Sequence, residues 1–419
     1  MSFALDDKPI LRWPLDVQRT SYDGQEVVIL NDSNQISPSP AVLPAALIPI
    51  VSRFDGEHSV RDIVEEGAPY GVTAELVFEL LHQLDRMLFL DTAASRSRIA
   101  KMHQEFDGLR VREMAHSGAV YPSERKQLEQ AIEDYLSKSS RSWNLPKSNR
   151  PLIAMISPHI DYRRGWNTYT AAFDVMSSAP RPDVIFLIGT SHQPGQSIFH
   201  LTKKSFECPY GVFPTDTEVV EALSADYGKE RSFRNEFLHK REHSLELQLP
   251  FIGHRFAQDG LPSLVPILVG SFHHCVEADK MPIEEAEIED FVAALAAQVK
   301  KLRAQGKRVL LYGGVDLAHV GVHFGDSQRV SDGKLGEIES RDRELISHIL
   351  SADEAKLFHH IAEDNDARRI CGFPSMYTMF AALRRCGIAS DGTCLEYRQA
   401  VDNVSDCIVT FATAAWSEN

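Results

Sequence analysis

Three stretches of this chain are apolar at nearly every position: Leu152 to Ile156, Val184 to Ile188 and Val309 to Tyr312. A strand with one face in water alternates apolar and polar residues, whereas an unbroken run fits a parallel strand covered by helices on both faces. From Leu152 onward such runs alternate with helical patterns to the end of the chain. That alternation predicts an α/β domain with a central, mostly parallel sheet flanked by helices. Ser123 to Ser137 reads as a helix with Leu128, Ile132 and Leu136 on one face. The acidic run Glu284 to Asp290 suits the N-terminus of a helix through Phe291, Leu295 and Val299, because the helix dipole favours anions there. Asp364 to Arg369 reads as a polar helix, Met376 to Leu383 as an apolar one, and Arg141 to Arg150 as the loop into the first core strand.

Residues 1–91 have a different rhythm. Val27 to Leu30 and a weaker stretch around Ile36 predict strands on either side of the turn residues Asn31 to Asn34. Ser59 and Asp62 have capping-box spacing ahead of a short helix, and Gly67 to Gly71 breaks it. Thr73 can cap a second helix with Leu76, Val77, Leu80, Leu81 and Leu84 on its apolar face. Leu88 to Leu90 predicts a closing strand. The order is that of a small winged-helix-like α+β domain. A polar, partly helical connector over residues 92–109 leads to the α/β domain over residues 110–419.

The 419 residues are 43% hydrophobic and 25% charged, the balance of an ordinary folded protein. A formal net charge of -15 argues against sequence-independent nucleic-acid binding, which needs clustered Lys and Arg. No apolar stretch approaches the ~20 residues of a membrane helix, and Met1 to Asp7 lacks the basic start and apolar core of a signal peptide. A cytoplasmic protein without nucleic-acid or membrane partners is the expectation. Cys208, Cys275, Cys371, Cys386, Cys394 and Cys407 form no CxxC pair, so they are expected to be free thiols.

Chemistry gathers where the apolar runs end. Ser157-Pro158-His159, Gly189-Thr190-Ser191-His192 and Val315-Asp316-Leu317-Ala318-His319 each follow a core strand. Functional groups in open α/β sheets cluster past the carboxyl ends of such strands. Glu242-His243-Ser244-Leu245-Glu246 reads as a helix start, with His243 pointing into the crevice; Glu242 and Glu246 read equally well as solvated helix charges. Asp316 and His319 would share one side if their segment turned helical, as an acid/base pair or with the Asp orienting the His. Cys371 precedes an apolar helix, a position that favours thiolate. Thiolate is both a nucleophile and a soft metal ligand, so these residues support either role.

Taken in order, these segments resemble the Memo-like proteins, called AmmeMemoRadiSam system protein B in microbial genomes. The resemblance runs from Arg110 to Trp416. It includes Val111-Arg112-Glu113-Met114-Ala115-His116-Ser117-Gly118, Tyr121 and the Val265 to Gly270 strand besides the segments above. It implies a fold like that of class III extradiol dioxygenases, with His159, His192 and Cys371 as metal ligands. His243, Asp316 and His319 would line the pocket, either orienting the ligands or as catalytic acid/base groups. The metal would be Fe(II) or copper, with zinc compatible. Two positions depart from the family's common form: Gln193 where a second His is frequent, and His159-Ile160-Asp161-Tyr162 in place of His-Ala-Gly-Tyr, which sets Asp161 beside the first ligand.

Residues 1–91 resemble PqqD-like domains through Phe54-Asp55-Gly56 and Ser59-Val60-Arg61-Asp62-Ile63. That likeness implies a peptide bound along a strand edge, and the family context implies a radical-SAM partner protein. Three functions follow as expectations. The first is a metal-dependent oxidoreductase acting on a peptide or small aromatic substrate. The second is a metal-free cysteine hydrolase using Cys371, His319 and Asp316. The third is a non-catalytic peptide-binding scaffold.

Overall fold

A computed structural model describes residues 3–139, 150–388 and 391–418. The chain forms two compact units, Met1–Gly108 and Leu109–Asn419. The loop expected over residues 141–150 lies, except for Arg150, outside the described residues.

The first unit holds a three-stranded antiparallel sheet in the order β1 (Asp16–Tyr22), β2 (Gln25–Asn31), β3 (Ala41–Pro44). Helices α1 (Val60–Gly67), α2 (Ala74–Arg86) and α3 (Ala93–Asp107) follow. Ser59 and Asp62 form the expected capping box, and the Thr73 side chain accepts from the Leu76 N–H. The hairpin differs from the expected one. Its strands are β1 and β2, joined at Asp23 and Gly24, whose φ angles of 49° and 77° fit a two-residue primed turn. Every residue of β1 is exposed, so no apolar face marks it in the sequence. No strand forms at Ile36. Asp32 instead pairs with Arg12 at 2.7 Å in a buried site. Leu88 to Leu90 is not a strand either: Leu88 has a φ of 62°, and Leu90 makes one isolated bridge to Leu11. The segment read as a connector is largely α3.

In the second unit, the main sheet comprises β4 (Leu152–Ser157), β5 (Val184–Thr190), β6 (Phe199–Leu201), β7 (Ser263–Val269), β8 (Val309–Gly314), β9 (His319–Gly321), β10 (Thr393–Asp402) and β11 (Cys407–Ser417). The order is β9-β11-β4-β8-β5-β7-β6, with β10 also on β11. Strands β4, β8, β5 and β7 are parallel neighbours, and antiparallel strands flank them on both sides. The three apolar runs are the three adjacent strands β4, β8 and β5, buried at every position. Their side chains alternate between two cores: Ile156, Phe186 and Leu311 pack on one face, Met155, Ile185 and Leu310 on the other.

Helices that position the site are α4 (Tyr162–Ser178), the single turn α5 (His243–Glu246), α6 (His273–Glu277), α7 (Ala286–Ala304) and α8 (Phe373–Arg385). The acidic run spans the start of α7, as its charge pattern predicts. The polar helix expected over residues 364–369 does not form. Asn365, Asp366 and Arg369 have φ values of 54°, 52° and 52°, which no right-handed helix contains. Among the described residues, no helix is long and apolar enough to cross a membrane.

Candidate functional site

Strand register assembles the site. Gly314 of β8 lies beside Ser157 of β4 on one side and Gly189 of β5 on the other. The chain leaving these three neighbours carries His159, Asp316 and His192 into one crevice at the carboxyl edge. The glycines let α5 seat on that edge. A Cβ at residue 314 would lie 2.2 Å from the Ser244 carbonyl oxygen, and one at residue 189 would lie 2.5 Å from Ser244 Oγ. With the approach this close, Ser244 Oγ donates to the Thr190 carbonyl at 2.8 Å, and Gln248 Nε2 donates to the Pro158 carbonyl at 2.8 Å. Cys371 arrives from the other direction, just before α8. Thr190 Oγ1 donates to its carbonyl at 3.0 Å, and the Gly372 N–H donates to the Asp316 carbonyl at 3.1 Å.

Sγ of Cys371 and one ring nitrogen each of His159 and His192 lie within 4.8 Å of one another. Both imidazoles have a fixed tautomer. Nδ1–H of His159 donates to the Gly314 carbonyl at 2.9 Å, so Nε2 is the nitrogen that faces Sγ, at 3.4 Å, and the one whose lone pair a metal would take once its proton leaves. Nδ1–H of His192 donates to Glu242 Oε1 at 3.0 Å, which turns its Nε2 toward Cys371 in the same way. A tetrahedral centre with bonds of about 2.3 Å to sulfur and about 2.0 Å to nitrogen sets them about 3.5 Å apart. The donor set, its spacing and the acceptors that hold each imidazole from behind therefore fit a metal ion.

The electrostatics fit one as well. Burial would raise the Cys371 thiol, but His159 and the other imidazoles outweigh it and lower its pKa to about 5. Burial would lower His159, yet Asp316 and Cys371 raise it to about 9. His192 is likewise held above its usual range by Glu242 and Cys371 against the effect of burial. Glu242 is held well below the carboxylate range, because His192 and His243 outweigh its burial. Without a cation, protons on the imidazoles balance the thiolate and carboxylates, and a metal would displace those protons.

His243 joins this group. Its ring stacks on His192 with centroids 4.6 Å apart and meets His159 edge-on at 5.1 Å. Burial lowers its pKa to about 4, so it is neutral near pH 7. Nδ1 lies 3.2 Å from Glu242 Oε1, which leaves Nε2 as a proton acceptor. Asp316 accepts the backbone N–H groups of His159 and Ile160 at 2.9 and 3.3 Å, and its second oxygen lies 3.6 Å from His159 Nε2.

His319 takes a different place. It begins β9, so the segment after β8 runs extended rather than helical and carries it away from Asp316. Its Nδ1 lies 3.1 Å from the Leu317 carbonyl and 3.2 Å from that of Arg369, and its ring packs edge-on against Phe324. Among the described residues, no hydrogen bond joins His319 to Asp316. It is still among the imidazoles that lower the Cys371 pKa. Asp161 caps α4 and pairs with Arg164, so its carboxylate is committed outside the donor group.

Glu242 and Glu246 are both buried, not solvated helix charges. Glu242 N-caps α5, accepting the N–H groups of His243 and Ser244 at 2.8 and 3.1 Å while holding His192. Glu246 forms a buried ion pair with Arg112 and accepts Tyr121 OH at 2.6 Å and the His116 N–H at 2.8 Å. That bond set ties the Val111 to Tyr121 segment to α5. Glutamate is not among the usual N-cap residues, so neither the cap at Glu242 nor the reach of Arg112 is legible in the sequence.

A pocket of about 220 Å³ opens onto the donors, lined by His192, Cys371, Phe272, Phe373, Asp366 and Arg369 among others. A larger hollow of about 550 Å³ lies in the first unit. It is lined mainly by apolar side chains and presents no metal-ligating cluster, so the smaller pocket is the one matched to chemistry.

The Memo-like protein family matches residues 112–415. A MEMO1 family protein of Aquifex aeolicus is 23% identical over 376 residues, covering 89% of this chain and 91% of its own. That match is longer than the second unit and so reaches into the first. A MEMO1 family protein of Nitrosopumilus maritimus is 24% identical over 71% of this chain and 95% of its own, and one from Thermotoga sp. strain RQ2 is 28% identical over 64% and 87%.

Proposed function

The chain belongs to the Memo-like protein family, and from that premise we propose that it is a metal-dependent oxidoreductase holding iron or copper on His159, His192 and Cys371. The observation that carries this reading is the convergence of one thiol and two tautomer-locked imidazoles within 4.8 Å. A redox-active ion on two nitrogens and a thiolate would supply one-electron and oxygen chemistry, with coordination positions left open toward the pocket.

The remaining residues have separable tasks. The Gly314 carbonyl and Glu242 orient the two imidazoles. Asp316 fixes the backbone that presents His159. His243 receives a proton at Nε2. Phe272, Phe373 and Pro374 give the pocket an apolar wall, and Asp366 and Arg369 give it a charged rim. Those dimensions suit a small aromatic molecule or a single side chain of a peptide. Among the described residues, the outer edge of β1 carries no neighbouring strand in its sheet, and a peptide laid along it would be recognised by strand addition.

Metal content by plasma mass spectrometry tests the proposal, on protein purified anaerobically without a metal-affinity tag. Near-stoichiometric iron or copper in the wild type, lost from His159→Ala, His192→Ala and Cys371→Ala, is the expected result. A wild type that takes up neither metal, even after reconstitution with Fe(II) or Cu(I), would overturn it.

A further inference from the structure

A second set of metal-ligating atoms lies on α6 and at the start of α7. His274 and Cys275 are consecutive residues of α6, and Glu285 is the N-cap residue of α7. His274 Nε2 and Glu285 Oε2 are hydrogen-bonded. Sγ of Cys275 lies 3.3 Å from that nitrogen and 3.6 Å from that oxygen. All three donor atoms lie within 4.8 Å of one another.

Two features separate this cluster from an ordinary surface ion pair. Adjacent helical residues point about 100° apart, so the His274 ring must fold over to bring Nε2 against Cys275 Sγ. Glu285 holds the N-cap position of α7 with a side chain longer than those of the usual capping residues, Ser, Thr, Asp and Asn, and so able to reach beyond its own helix. Its carboxylate makes no capping bond and turns to His274 and Cys275 instead.

We propose that His274, Cys275 and Glu285 form a second metal site, specific for zinc and distinct from the His159, His192 and Cys371 donors. A mixed sulfur, nitrogen and oxygen set is zinc's usual company, and three protein ligands leave its fourth position to water. The Sγ to Nε2 separation of 3.3 Å is close to the ~3.5 Å that tetrahedral zinc requires. Cys275 is buried beneath, while the His274 and Glu285 side chains are 50% and 34% exposed, so an ion has a route in from solvent. Thiolate plus carboxylate neutralises the double positive charge. On binding, the thiol proton leaves to solvent and the remaining His274 proton moves to Nδ1; no electrons are transferred. Burial pushes the free thiol up to about 12, so uptake weakens as pH falls.

A third cluster, Glu344, His348 and His360, does not qualify. Arg368 donates to His360 Nε2 at 3.0 Å, which places the ring proton on Nδ1 and leaves that nitrogen no lone pair for an ion.

Cobalt(II) titration of full-length Cys371→Ala protein tests the proposal, because the only thiolate expected to meet cobalt there is Cys275. One equivalent should bind with a thiolate-to-cobalt charge-transfer band that zinc abolishes, and the band should be lost on adding Cys275→Ala. No band in Cys371→Ala, or a band that survives the second substitution, would overturn the site. Zinc stoichiometry in otherwise wild-type protein is the companion measurement. It should fall by one equivalent in both Cys275→Ala and Glu285→Gln, and an unchanged value would equally overturn the proposal. Neither result depends on whether the first donor set takes iron or copper.

Discussion

Both oxygens of Glu242 bind one residue: Oε1 accepts His192 Nδ1–H at 3.0 Å, and Oε2 accepts the His192 backbone N–H at 2.9 Å. The carboxylate thereby fixes the ring's tautomer and its place together. Glu242→Gln keeps the size but sets an amide N–H where an acceptor is needed, or turns its one oxygen to one partner alone. Affinity for iron or copper should drop about 10–100-fold, the usual effect of removing an outer-shell partner. Competition with a chelator of known affinity measures it, and an unchanged constant would remove Glu242 from the site's design.

In metal-free protein, Cys371 should react as a thiolate well below the ordinary thiol range. The iodoacetamide rate should hold from neutrality down to a midpoint near the lowered pKa of about 5. His159→Ala removes the imidazole that lowers it most and should move the midpoint up toward 9.0, the unperturbed value. Added metal should protect the residue. A wild-type midpoint above 8 would show that the charges do not couple as their 3.4 Å separation implies.

Gly314 and Gly336 make a matched pair. An alanine Cβ at residue 314 would meet the Ser244 carbonyl at 2.2 Å, whereas at residue 336, inside the Asp332–Leu350 helix, nothing lies within 4 Å. Gly314→Ala should cost about 1–3 kcal/mol by overpacking and weaken metal binding, since α5 carries Glu242 and His243. Gly336→Ala should stabilise by about 0.5–1 kcal/mol. Urea unfolding of both variants decides it: similar midpoints would mean that α5 gives way freely.

The parallel core was legible because β4, β5 and β8 are buried at every position and apolar until their last residues, Ser157 and Thr190 among them, a pattern few other elements produce. Their carboxyl ends then placed His159, His192 and Asp316 without further information. What the pattern hid was hidden for physical reasons. Strand β1 has no buried face, so periodicity cannot mark it. The Asp23-Gly24 turn was the available signal, and Asn31 to Asn34 competed with it. Left-handed residues at Asn365, Asp366 and Arg369 carry side chains that give no glycine warning. Glu242 and Glu246 have the spacing of solvated helix acids, and only long-range partners, His192 and Arg112, bury them. The direction of His319 turned on a helix-or-extended choice within Leu317 and Ala318, two strong helix formers whose local preference is overridden by the pairing of the next residues with β11.

Arg112 and Glu246 put a stability test on the same assembly. Burial would raise the Glu246 pKa, but Arg112, His116 and Tyr121 outweigh it and hold it below 4.5. A carboxylate whose folded pKa is depressed stabilises the fold at pH above its unfolded value, and that contribution is lost as pH falls through the folded value. Arg112→Met leaves a buried anion without its cation and should cost about 3–5 kcal/mol at neutral pH. The Glu246 pKa in the variant should rise, so protonation relieves the variant first. The gap in urea midpoint between wild type and Arg112→Met should therefore narrow as pH is lowered toward about 4. A gap independent of pH would mean that Arg112 acts through packing, including its contact over the Phe206 ring, and not through its charge.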